Sequence, residues 1–213
     1  MSECRLFIVR HTQTVGNVEK RLTGRCDYEI TPQGEEYIKL LTEELRSIKF
    51  DEVYSSTSGR AKKTVIELAK INNKTIIENQ DLCEMYFGEY DGWKWEEVNK
   101  VNPKIKETQT LINEIVGIPE QETMEEVAER MYGCIEQIAT QNVDNTILIA
   151  SHGVAIEAFL RKIVGIPFAE ERERFCQHNT AINEVIYKDG KFSIMRLADM
   201  THINQKYYND GER

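Results

Sequence analysis

Side chains able to do chemistry gather at four places in the chain. Arg10 and His11 end the apolar run Leu6-Phe7-Ile8-Val9, and Ser151-His152-Gly153 ends a second such run, Ile147-Leu148-Ile149-Ala150. Arg60 follows the small polar segment Ser56-Thr57-Ser58-Gly59, and the carboxylates Asp81, Glu84, Glu89 and Asp91 crowd a stretch of glycines and aromatics that ends at Trp93. Two guanidiniums, two imidazoles and a carboxylic acid form a complete set for phosphoryl transfer without a metal. The arginines neutralise the oxygens of the transferring group, one histidine attacks phosphorus, and the acid protonates the departing alkoxide. The composition of the loop does not say which carboxylate is the acid.

His178 and His202, the remaining histidines, form no close pair with the others at metal-ligand spacing. Arginine is therefore expected to supply the positive charge, and neither metal nor cofactor is expected. Cys4 and Arg10 stand at the C-x5-R spacing of cysteine-dependent phosphatases, but the residues between them read as a strand and not as a phosphate-cradling loop. That match is a coincidence of spacing. Beyond His11, the short polar residues from Thr12 to Asn17 suit a loop around a ligand, with Asn17 able to donate an amide hydrogen to an anion.

The elements that must carry these residues are legible in the pattern. Each apolar run is short and continuous, as in strands buried on both faces, and ligands bind where such strands end. Phe50–Ser56 and Thr75–Glu78 read as two further strands. Thr31-Pro32 starts a helix with Ile38, Leu41, Leu45 and Ile48 inward, and a second helix begins near Ser58 with Ala61, Val65, Leu68 and Ala69 inward. Arg60 in that helix's first turn opposes the helix dipole at a cost of about 1 kcal/mol or less, which a bound anion would offset. Thr123 to Glu126 is a capping box, and Val127, Met131, Ile135 and Ile138 follow on one face. The helix after His152 turns Ala155, Ala158, Phe159 and Ile163 inward and aims its free amides at whatever His152 contacts. Asp189-Gly190 joins a closing hairpin, Ala181–Tyr187 with Phe192–Leu197. The order predicts an α/β fold, a three-layer sandwich with a mostly parallel central sheet, an antiparallel C-terminal edge hairpin and a small helical cap.

At 213 residues, 40% hydrophobic and 30% charged, the chain is expected to form a single domain, 1–213, with 93–122 as a cap insertion. A formal net charge of -9 argues against nucleic acid or an anionic membrane as partner, yet it leaves room for a small anion held by a local arginine cluster. The first residues carry no charged-then-apolar leader pattern, and no apolar run is long enough to span a bilayer, so a cytoplasmic protein is expected. Its five scattered cysteines read as reduced thiols.

The ordered series of motifs resembles the histidine phosphatase superfamily, which includes cofactor-dependent phosphoglycerate mutases and many small phosphatases. It runs through Arg10-His11-Thr12 with Thr14 and Asn17, through Gly24, Asp27, Thr31 and Gly34, through Ser56 to Ala61, Glu84 to Gly92, and Ser151-His152-Gly153. The resemblance implies that His11 is the nucleophile, that Arg10, Asn17, Arg60 and His152 hold the phosphoryl oxygens, and that Glu84 is the proton donor. The family usually has glycine where this chain has Thr12, which would be strained at a positive φ and whose hydroxyl is a candidate donor to the phosphoryl group. The segment from Trp93 to Gln121 carries Lys94, Lys100, Lys104 and Lys106 but no arginine, where mutases of the family cluster arginines. Hydrolysis of a small phosphorylated metabolite by a monomer or homodimer is therefore expected. The alternatives are a phosphoglycerate mutase and a catalytically silent phospholigand-binding or regulatory protein. Tyr28, Tyr86, Trp93 and Trp95 are available to line a substrate pocket, though such aromatics more often serve packing.

Overall fold

Strand β1, Glu3–Arg10, runs through the middle of the sheet, which is why Leu6, Phe7, Ile8 and Val9 are all buried. It pairs in parallel with β4, Thr146–Ser151, and antiparallel with β5, Ile182–Lys188. The computed structural model describes residues 2–101, 120–168 and 172–203. Its six-stranded sheet has the order β3-β2-β4-β1-β5-β6, with β2 at Glu52–Ser55, β3 at Ile76–Glu78 and β6 at Lys191–Asp199. The pairings from β3 across to β1 are parallel, and those of β5 are antiparallel. The hairpin turn at Asp189 and Gly190 has both residues at positive φ, 50° and 75°, as a two-residue turn between twisted strands requires.

Alternation along β1 divides the interior in two. Leu6 and Ile8 join a core with Val127, Met131 and Ile135 of one helix and Ala155, Ala158 and Phe159 of another, whereas Phe7 and Val9 pack with Leu41, Leu45, Val65 and Leu68. Helices thus cover both faces of the sheet, giving three layers. On the first face lie Met124–Gln141 and Gly153–Val164, and on the second Pro32–Leu45 and Gly59–Ile71. Thr31 caps its helix by accepting from the Gly34 amide, and Thr123 and Glu126 form the expected capping box. The helix expected to reach Ile48 ends at Leu45, and Ile48 packs against the core from beyond its end.

Of the segment expected to form a cap, 93–122, the described residues are 93–101 and 120–122, with a helix at Trp95–Val101; Pro103, Lys104, Lys106 and Pro119 lie outside the described residues. Among the described residues no helix is long and apolar enough to cross a membrane. Arg10 pairs with Ser151 and Ser55 with Ala150, so the ends of β1, β4 and β2 lie side by side. The chain segments that leave those three strand ends carry the candidate groups His11, Arg60 and His152.

Candidate active site

His11 leaves β1 with its amide bonded to the Ser151 carbonyl at 2.9 Å and its ring 1% exposed. Its Nδ1 lies 2.7 Å from the Thr12 carbonyl oxygen, which only accepts, so Nδ1 carries the proton and Nε2 the lone pair. Burial, then the charges of Arg60 and Arg10, hold the imidazole well below its ordinary pKa. A neutral ring with Nε2 unprotonated is a nucleophile.

Arg60, 1% exposed in the first turn of its helix, is the hub of the site. Its Nη1 donates to the Cys26 carbonyl at 2.7 Å and to Asp27 Oδ1 at 3.1 Å. Its Nη2 donates to the carbonyls of Thr23 and Gly24 and to His152 Nδ1. Its Nε is buried with no acceptor among the described residues and is the donor left for a ligand. The conflict between Arg60 and the helix dipole is relieved within the protein. Asp27 accepts from the Gly59 amide at 2.6 Å and the Arg60 amide at 3.4 Å, capping the helix from a distant loop.

His152 stands between Arg60 and Ser56, with its ring centroid 5.2 Å from that of His11. Because a guanidinium only donates, Nδ1 accepts from Arg60, and Nε2 carries the proton toward Ser56 Oγ at 2.7 Å. Burial comes first, followed by Arg60, in depressing its pKa well below the usual range. Both ring nitrogens are engaged, so His152 must exchange one of these bonds to hold a phosphoryl oxygen. Arg10 donates from Nη1 to the Gln177 carbonyl at 2.5 Å. A Cβ at Gly153 would lie 3.3 Å from its Nε, so the glycine of Ser-His-Gly makes room for that guanidinium.

Glu84 is 7% exposed, and the start of helix Gly153–Val164 aims at it. Its Oε1 accepts from the amides of Met85 at 2.9 Å and Ala155 at 3.0 Å, and its Oε2 accepts from Val154 at 3.1 Å. A carboxylate oxygen has two acceptor sites, so Oε2 keeps one for a proton. The free amides expected to face His152's contacts thus serve the carboxylate. Asp81 and Glu89 are exposed. Asp91 is committed elsewhere, accepting from the amides of Gly24, Arg25 and Cys26 at 2.6, 2.8 and 3.0 Å.

The profile of the histidine phosphatase superfamily, branch 1, matches residues 6–200. The chain belongs to that superfamily. It is an enzyme of the phosphatase or mutase kind. It is 29% identical over 209 residues to a protein of Hydrogenobacter thermophilus named "Putative phosphoserine phosphatase 2", covering 94% of this chain and 98% of that one. It is 26% identical over 204 residues to the phosphoglycerate mutase-like protein 4 of Arabidopsis thaliana, covering 94% and 87%. The structure of YhfR from Bacillus stearothermophilus superposes with a TM-score of 0.89 at 23% identity, over 94% of this chain and all of that one, and so shares the fold.

Within this histidine phosphatase the departure at Thr12 has a local explanation. Thr12 is not among the residues at positive φ, so no glycine is required there. Its Oγ1 donates its one proton to the Gly34 carbonyl at 2.7 Å and the residue is fully buried, so the hydroxyl would have to exchange that bond to serve a phosphoryl oxygen. Asn17 uses Oδ1 to accept from the Thr14 amide and hydroxyl, so Nδ2 is what it can offer an anion. Cys4 is a strand residue whose thiol burial pushes up to about 11, far from a nucleophilic thiolate. Sequence reasoning missed Ser56 as the acceptor that fixes the His152 tautomer and Asn179 as the donor to the His11 carbonyl at 2.9 Å. It also missed Arg130, which donates to the carbonyls of Asp81, Cys83 and Glu84. Nothing local in the sequence marks Arg130.

Proposed function

We propose that this protein hydrolyses small phosphomonoesters through a phosphohistidine on His11. The observation that carries the reading is the bond from Nδ1 to the Thr12 carbonyl, which fixes the lone pair on Nε2 and stabilises the imidazolium that forms when that nitrogen attacks. Phosphorus then bonds to Nε2 as its bond to the ester oxygen breaks, and a proton on Glu84 Oε2 passes to the leaving alkoxide. In the second half, the Glu84 carboxylate takes a proton from water. The hydroxide attacks phosphorus, the P–N bond breaks, and inorganic phosphate departs. Arg10, Arg60 Nε–H, Asn17 Nδ2 and His152 are the groups assigned to the phosphoryl oxygens, and the charge of the two arginines takes the place of a metal.

Phosphoserine is the first substrate to try, because a relative over nearly the whole chain carries that name. Hydrolysis is favoured over a mutase cycle by the lack of arginine between Trp93 and Gln121, and the intact set of reacting groups favours an enzyme over a silent binder. A screen of phosphorylated metabolites with His11→Ala as the blank tests this. Turnover is expected to depend on His11, survive chelator and trap acid-labile phosphate on that residue. Transfer between 3-phosphoglycerate and bisphosphoglycerate without net phosphate release would establish a mutase instead. Absence of both turnover and labelling would establish a binder.

A further inference from the structure

Arg130, on the helix Met124–Gln141, divides its guanidinium between the segment that carries Glu84 and the carboxylate of Glu122. Nη1 donates to the carbonyls of Asp81 and Cys83, each at 2.8 Å, and Nη2 donates to the Glu84 carbonyl at 3.1 Å. Nε and Nη2 form a fork on Glu122, at 2.7 and 3.0 Å, and Glu122 Oε2 in turn accepts from the Tyr86 amide at 2.8 Å. The main chain is therefore gripped just before the acid, at the acid and two residues after it. The arginine is 16% exposed and its glutamate 20%. Helix Gly153–Val164 holds the carboxylate itself through the amides of Val154 and Ala155, so one helix fixes the main chain of Glu84 and the other its carboxylate.

We propose that Arg130, with Glu122, is the positioning residue for the general acid of the reaction. The inference rests on the reading of Glu84 given above. A planar fork with five donors can hold three carbonyls and a carboxylate together, and a lysine's point charge cannot. If the grip sets where Oε2 sits against the leaving oxygen, its loss is felt where the leaving group needs a proton. It is not felt where the leaving group departs as a stable anion.

The test compares kcat/KM, which reports the steps through departure of the leaving group, for p-nitrophenyl phosphate and for β-glycerophosphate, an alkyl ester. For Arg130→Lys we expect a loss of about 10-fold or more on the alkyl ester and less than about 3-fold on the nitrophenyl ester, a weaker copy of the selective loss in Glu84→Gln. Glu122→Gln serves in the same way should Arg130→Lys not fold. Equal losses on both esters, or none on either, in a folded Arg130 or Glu122 variant beside a selective Glu84→Gln would overturn the positioning role alone. A Glu84→Gln variant that lost both esters alike would bring down the general-acid reading and this inference with it.

Discussion

Thr12, which follows the proposed nucleophile, has its hydroxyl occupied by a backbone carbonyl. Thr12→Val should leave the Gly34 carbonyl buried without its donor, lowering stability by about 1–3 kcal/mol in urea unfolding, while Thr12→Ser keeps the bond and most of the stability. The two active-site rings make a separate prediction. Both are held neutral in the fold, with pKa values well below the ordinary value, whereas the unfolded chain takes up protons near about 6.5. Below that pH the unfolded state binds more protons, so stability present at neutral pH is lost as pH falls toward the lowered folded values. Thermal unfolding between about pH 7.5 and pH 5 should show the fall, and His11→Asn should reduce it. The candidate reacting groups were legible in the sequence because residue type and strand-end position constrain them. Their partners were not. Arg130 meets Glu84, Cys83 and Asp81 across 46, 47 and 49 residues, a pairing that local pattern does not encode.

Caps show the same division between what is local and what is not. Thr31 and Thr123 were readable as helix starts because each bonds an amide three residues on, within its own segment. Ser58 sits at the same kind of position but makes no side-chain cap bond, and the carboxylate that does the work is Asp27. That substitution of a distant acid for a local hydroxyl ties the helix start, the loop 23–27 and Arg60 into one unit. Asp27→Ala should therefore act twice. It should lower stability by about 1–2 kcal/mol as a lost cap in chemical denaturation, and it should raise KM for a phosphoester by loosening Arg60. Asp91 supports the same unit from its other side, accepting from the amides of Gly24, Arg25 and Cys26.

At the scale of the molecule, the alternation of β1 and β4 makes two cores share the same strands, and the strand order that hydrophobic runs and turn signals could not specify is what brings three strand ends together. Ile147 and Ile149 face one core while Leu148 faces the other. Leu148→Ala should cost about 2–5 kcal/mol and shift one transition, seen alike by far-UV circular dichroism and by tryptophan fluorescence. Separate midpoints would mean that the two cores unfold independently. The two guanidiniums proposed for the phosphoryl group have a last consequence, since a cradle for phosphoryl oxygens would not distinguish the group as it arrives from the same group after hydrolysis. Inorganic phosphate should compete with the ester for Arg10 and Arg60, and the pace of the cycle at high substrate should be set by how fast the product lets go.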